Sequence, residues 1–188
     1  MNVEVVVKVG GGLLKHRGDL DRVLAALIDL AHHRRLVIVP GGGPFADAVR
    51  AIDDALDLPD AVAHWMAIRA MDEYAHLITD LVPGCSLAVD ALQIEAALMV
   101  GFVPVLAPYR WLRDADPLPH SWDVTSDSIA AWIAGYLGAK RLVLIKPPGA
   151  SGDGLVDSYF ARALPVDVSL DVVGADRFDA LASALSGS

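Results

Sequence analysis

A three-layer α/β/α sandwich around a mostly parallel central sheet is the fold class this sequence predicts, and three observations carry the prediction. Two short runs dominated by β-branched residues, VEVVVKV at 3–9 and LVIV at 36–39, have the character of strands buried inside a sheet. Each run leads into a glycine cluster, Gly10–Gly12 and Gly41–Gly43. Each cluster is followed by apolar residues at helical spacing, so strand, glycine loop and helix occur twice in succession, the unit from which parallel sheets are built.

The elements follow in order. Val3–Val9 is the first strand. Leu20, Val23, Leu24, Leu27, Ile28 and Ala31 fall on one helical face, with Asp19 and Asp21 in the first turn and a basic stretch, His32–Arg35, at the end, as the helix dipole favours. Leu36–Val39 reads as the second strand and Phe45–Leu56 as the helix after it. Asp60–Leu81 is a longer helical segment with no internal proline. Ser86–Val89 is a short strand, followed by a helix through Met99, and Val103–Ala107 is a strand bounded by Gly101 and Pro108. Tyr109–Val124, polar, aromatic and proline-containing, reads as a loop. Thr125–Leu137 is a helix ending at Gly138, Arg141–Ile145 a strand, and PPGASGDG at 147–154 a loop. The remainder carries weak strand signals and a final helix at Asp176–Leu185.

The 188 residues suit a single domain, with 54% apolar residues to fill a core and no repeat beyond the two glycine loops. A net charge of −9 with dispersed acidic residues argues against nucleic-acid binding, which needs clustered Lys and Arg. Small anions are not excluded, since a few local donors suffice for them. Cys85 is the single cysteine, so an intrachain disulfide and a cysteine metal cluster are both ruled out; its apolar neighbours suggest a buried filler. No apolar run approaches the roughly 18 residues of a membrane helix, and Met1 leads straight into the first strand without a signal-like segment. The expectation is a cytoplasmic protein with no membrane partner.

Glycines after a buried strand let backbone N–H groups approach an anion, and the helix that follows adds its positive end. Neither loop is GxxxxGK[ST] or GxGxxG, so by themselves the clusters read equally as tight strand-to-helix turns. Lys8 lies within its strand, where burial is expensive unless an anion neutralises it; the alternative is an edge strand with Lys8 facing water. Lys146 ends the apolar run LVLI and precedes a glycine-containing loop. Between them, Thr125, Ser126 and Asp127 stand where a helix begins. They read either as an N-cap or as a carboxylate, Asp127, set to orient two lysines.

The succession KVGGG, PGGG, TSDSIA and a strand ending in Lys146 resembles the amino-acid kinase superfamily, which includes aspartate, acetylglutamate and uridylate kinases, over roughly residues 3–150. Within it, residues 63–77 and 117–132 look most like the short kinases of methanopterin biosynthesis that convert an aminomethylfuran-methyl phosphate to its diphosphate. The resemblance implies an ATP- and Mg2+-dependent kinase. Lys8 and Lys146 would hold the transferred phosphoryl group and Asp127 would organise them. Gly10, Gly11 and Gly12, with Lys146 and the loop glycines Gly149 and Gly152, would serve ATP, while Gly41, Gly42 and Gly43, with Thr125 and Ser126, would serve the acceptor. No residue is assigned as a direct metal ligand.

Phosphoryl transfer is mostly positioning and charge neutralisation, and a phosphate acceptor is already ionised, so no general base is required. Trp65 is a candidate for stacking on a furan and Arg69 or Arg110 for pairing with a phosphate, although aromatic and Met positions on that helix equally suit a core or dimer contact. Asp123 is a candidate to assist magnesium or an acceptor amine. The chain departs from the resemblance after Lys146, where PPGASGDG replaces an acidic TDVDG-like stretch, and in lacking a GT-containing last strand. The expected division is an acceptor-binding half at about 1–108 and a nucleotide-binding half at about 109–188, in a homodimer or higher homo-oligomer. A uridylate- or amino-acid-type kinase and a non-catalytic nucleotide or oxoanion binder are the alternatives.

Overall fold

In a computed structural model, which describes residues 3–150 and 154–186, six strands form one sheet: β1 (Val5–Val9), β2 (Leu36–Pro40), β3 (Cys85–Ala88), β4 (Val103–Leu106), β5 (Arg141–Lys146) and β6 (Ser169–Gly174). They run in the order β3-β4-β2-β1-β5-β6 and every pairing is parallel. All five residues of β1 and of β2 are buried, so these central strands are covered on both faces. Lys8 therefore lies in the middle of the sheet rather than on its edge.

Period-two alternation sorts each strand between two cores. Val5, Val7 and Val9 of β1, with Val143 and Ile145 of β5, pack on one side against α1 (Arg17–Ala31) and part of α3 (Asp60–Leu81). Val6, Leu142 and Leu144 pack on the other side against α6 (Ser126–Leu137), whose Ile129, Ala130, Ile133 and Ala134 are buried. The remaining helices are α2 (Gly43–Leu56), α4 (Ala91–Met99), α5 (Tyr109–Ala115), α7 (Phe160–Ala163) and α8 (Phe178–Ser186). A 3-10 turn at Gly11–Lys15 joins β1 to α1.

The stretch 109–124 is not loop throughout. Its first part is α5, held because Trp111 and Leu112 are buried and the Asp72 carboxylate accepts the Tyr109 N–H at 3.0 Å. The helix stops at Asp116, which adopts the left-handed conformation (φ 41°) before Pro117. Tertiary burial here overrides a local composition that signals loop. The weak signals after 154 resolve into the short helix α7 and the edge strand β6.

Candidate functional site

The same alternation builds the centre of the site. Lys8 is two residues past Val6 on β1, and Lys146 is two past Leu144 on β5, so both side chains leave the sheet on the face covered by α6. Lys8 pairs in register with Leu144, which places Lys146 one side-chain repeat further along the same face. The first turn of α6 brings Asp127 between them. Lys146 Nζ donates to Asp127 Oδ2 at 2.6 Å, and Lys8 Nζ lies 2.9 Å from Oδ1. The Lys8 contact is an ion pair rather than an aligned hydrogen bond, and Oδ1 has no hydrogen-bond partner.

Exposures of 5% for Lys8, 4% for Asp127 and 8% for Lys146 make this a buried triad with one carboxylate for two amines. Burial alone would push the Asp127 carboxyl up, but the two ammonium groups hold it below its ordinary range. Burial, then the charge of Lys8, pulls Lys146 down from its ordinary value, against the attraction of Asp127. With all three ionised, the triad carries an excess positive charge in a place closed to water, which suits an incoming anion.

Asp127 is aimed by the start of its helix. Thr125 is the N-cap and its Oγ1 accepts the Asp127 N–H at 3.4 Å. Outside that cap sits the Asp157 carboxylate, which accepts from Thr125 N at 3.0 Å, Thr125 Oγ1 at 2.7 Å and Ser128 N at 3.1 Å, and from Ser128 Oγ as well. The segment after β5 is thereby tied to the helix that carries Asp127. Neighbouring residues add to the tie: Ser158 Oγ donates to Asp123 at 2.8 Å and Tyr159 N to the Asp123 carbonyl at 3.2 Å.

The glycine loops lie at the carboxyl edge of the sheet, beside β1. The chain places β2, β4 and β3 on one side of that strand and β5 and β6 on the other, and such an edge is where open α/β sheets bind ligands. Two of the glycine N–H groups are already engaged. Gly10 N donates to the Ile145 carbonyl and Gly41 N to the Val9 carbonyl, each at 2.8 Å. This corrects the expectation that every glycine of the two clusters offers its N–H to a ligand. The N–H groups of Gly11 and Gly12 begin a 3-10 turn and those of Gly42 and Gly43 begin α2, where no intrahelical acceptor exists. These four remain for an anion, with the positive end of α2 behind the second pair.

The loops also touch each other. A Cβ on Gly11 would lie 2.1 Å from Gly43 N, and one on Gly43 (φ +53°) would lie 2.5 Å from the Gly11 carbonyl oxygen. Close main-chain contact therefore requires glycine here independently of any ligand.

Beside Gly42 and Gly43 opens a cavity of about 170 Å³, walled by Arg50 of α2, by His64, Ile68 and Met71 of α3, and by Trp122 and Ser126. Trp122 is fixed in this wall: its Nε1 donates to Asp53 at 2.6 Å and the Arg50 guanidinium lies 4.0 Å over its ring. A wider groove of about 430 Å³ contains Trp65, Arg69, Tyr109, Arg113 and His120. The His64 and His120 rings, stacked 4.6 Å apart, stand between the two.

The sequence candidates divide accordingly. Lys8, Asp127 and Lys146 meet, and Thr125 and Ser126 line the glycine-side cavity. Trp65 and Arg69 fall in the outer groove, where Arg113 lies 4.8 Å over Trp65 and Arg69 lies 3.8 Å over Tyr109. Arg110 is exposed on α5 and lines neither space. Asp123 is exposed and engaged with Ser158. Gly149 donates its N–H to Asp176 at 3.4 Å, and Gly152 lies outside the described residues. Sequence reading gives His64 a place on the long helix but no role, and it does not mark Arg50, Trp122 or Asp157. Trp122 lies three residues before Thr125, a proximity that could have drawn notice, but nothing local distinguishes Asp157. No group of three or more His, Cys, Asp or Glu that could hold a metal ion occurs among the described residues.

Comparison with known proteins places this geometry among relatives. A family model described as "Amino acid kinase family" matches residues 4–147. The chain is 30% identical over 181 residues to the [5-(aminomethyl)furan-3-yl]methyl phosphate kinase of Methanocaldococcus jannaschii, covering 95% of this chain and 77% of that protein. It is 26% identical to the acetylglutamate kinase of Synechocystis, covering 75% of this chain and 59% of that one. Among solved structures, the uridylate kinase from Archaeoglobus fulgidus superposes with a TM-score of 0.73 at 15% identity, covering 99% and 97% of the two chains. The UMP kinase from Bacillus anthracis does so with a TM-score of 0.74 at 14% identity, covering 98% and 92%.

Proposed function

The chain belongs to the amino acid kinase family and is a kinase, and from that premise we propose that it moves the γ-phosphoryl group of Mg-ATP to a small acceptor that is already a phosphate. The acceptor we assign is [5-(aminomethyl)furan-3-yl]methyl phosphate, for which the M. jannaschii relative is named; its phosphorylation would give the diphosphate, a step we assign to methanopterin biosynthesis. The single observation that carries this reading is the buried Lys8–Asp127–Lys146 triad, with its surplus positive charge at the edge where both glycine loops end.

In this proposal each residue has a physical task. Lys8 and Lys146 neutralise the charge spread over the transferring group, and Asp127 holds the two amines apart and in place. Gly11 and Gly12 donate N–H groups on the ATP side, and Gly42 and Gly43 on the acceptor side. Transfer to an ionised phosphate oxygen calls for no base, in keeping with a triad that offers amines and one paired carboxylate. Magnesium would come with the nucleotide phosphates, because the triad carboxylate is committed to the two lysines. The acceptor half draws mainly on residues 1–108 and the nucleotide half on 109–188, with Thr125 and Ser126 reaching back into the acceptor cavity. We include a homo-oligomer in the proposal, supported by the exposed Leu92, Met99 and Val100 at the two ends of α4.

The test is turnover with Mg-ATP and a panel of acceptors: the aminomethylfuran phosphate, UMP, N-acetylglutamate and aspartate. Acceptor-dependent ADP with the furan phosphate alone supports the assignment. ADP formation with UMP or a carboxylate moves it to those classes, and ATP binding without turnover favours a binding protein. Lys8→Ala should lower turnover by about three orders of magnitude, the scale of a lost transition-state charge partner; near-normal ADP formation in that variant refutes the role of Lys8.

A further inference from the structure

His64 is 6% exposed, yet its ring nitrogens have no hydrogen-bond or ion-pair partner among the described residues. Its recorded neighbours are rings: His120 stacks at 4.6 Å and Trp65 meets it edge-on at 5.0 Å. Among the described residues the fully buried side-chain atoms without a partner are Tyr74 Oη and Asp127 Oδ1, so the His64 nitrogens keep access to open space, and an accessible polar atom on a cavity wall is a position for a ligand's hydrogen bond. His64 lines the cavity beside Gly42 and Gly43.

We propose that His64 determines acceptor specificity, its imidazole accepting a hydrogen bond from a protonated amine at the end of the acceptor away from the phosphate. This rests on the acceptor class assigned above. The groups facing the cavity divide the work in a way that supports it. Anion recognition falls to the N–H groups of Gly42 and Gly43 and to the nearby lysines. Around His64, Ile68 and Met71 are apolar, and Asp47, the one carboxylate among the lining residues, is tied to Lys15 at 3.1 Å. Burial first, then the neighbouring His120, lowers His64 to about 4 against the pull of Asp116, so at neutral pH the ring keeps a free lone pair. His120 is itself held by Asp116 at 2.8 Å and braces the other face of the ring.

The experiment compares kcat/KM for [5-(aminomethyl)furan-3-yl]methyl phosphate and for its des-amino analogue, (5-methylfuran-3-yl)methyl phosphate, in the wild type, His64→Leu and His64→Gln. Thermal melts confirm folding of each variant. The wild type should prefer the amine by about 10- to 100-fold, the worth of a hydrogen bond to a charged group. His64→Leu should bring the ratio near one, and His64→Gln, which keeps an acceptor atom, should restore part of it. A preference that survives in His64→Leu overturns the assignment while leaving the kinase reading intact. If the wild type phosphorylates neither furan, the acceptor class fails and the role of His64 fails with it. A purely structural role would lower both rates together and leave the ratio unchanged, which also overturns it.

Discussion

Replacing Asp127 by Asn removes the one negative charge from a triad whose members are at most 8% exposed. The amide can still accept from Lys146, but Lys8, 2.9 Å from Oδ1, loses its ion-pair partner, and two ammonium groups are left facing each other. Removing one partner of a buried ion pair costs about 3–5 kcal/mol. For a domain of this size each kcal/mol lowers the melting temperature by about 2–4 °C, so a fall of roughly 6–20 °C is expected at neutral pH. Lys8→Met is the control. It removes a cation from a two-to-one cluster and leaves a balanced Lys146–Asp127 pair, so its loss of stability should be the smaller of the two.

The pH dependence fixes the cause. Lys146 is already below its ordinary value of 10.5, and loss of Asp127 removes an influence that raises it. A lysine depressed in the folded state penalises folding while it is protonated, and the penalty is relieved as pH rises through its folded pKa towards 10.5. The gap between wild type and Asp127→Asn should therefore narrow on going from about pH 7 to about pH 9.5, as followed by thermal or urea unfolding. A gap below about 1 kcal/mol at neutral pH, the range of exposed pairs, or one that widens with pH, would refute the reasoning.

Two further outcomes follow from the geometry. Gly11→Ala would set a Cβ 2.1 Å from a backbone nitrogen of Gly43 and should destabilise by at least about 1–3 kcal/mol, the scale of overpacking, whereas Gly18→Ala, in open space on α1, should stabilise by about 0.5–1 kcal/mol; urea midpoints decide both. Asp157→Ala strips the cap from Thr125 and Ser128 and should cost about 1–2 kcal/mol, and because it loosens the helix that aims Asp127 it should lower kcat more than it raises the KM for ATP, with Asp157→Asn recovering part of the loss in steady-state kinetics.

The strand runs around Lys8 and Lys146 and the glycines after them are local signals, and they made the sheet and the two lysines legible, whereas Asp127 read equally as part of an N-cap and took its role from the family resemblance. What escaped was set by partners distant in sequence. Tyr109–Ala115 folds as a helix because Asp72, 37 positions earlier, caps its first N–H and because Trp111 and Leu112 find a core. Trp122 becomes a cavity wall through Asp53, 69 positions away, while Trp65, the more conspicuous indole, turns into the outer groove. Asp157 acts on a helix 29 to 32 residues before it. The glycine clusters were legible as tight turns, but not which of their N–H groups the sheet already engages, since that depends on the carbonyls of Ile145 and Val9.

Because the Gly11 and Gly43 backbones meet with no side chain between them, the spacing between the two glycine turns is fixed by main-chain van der Waals radii. Substitutions elsewhere can reshape the cavity beside Gly42 and Gly43 from α2, α3 and the Trp122 wall without altering how far apart the two turns sit. A scaffold of this kind separates what is phosphorylated from how the phosphoryl group crosses. Its relatives by sequence, named for a furan phosphate and for acetylglutamate, are the diversity such a separation permits.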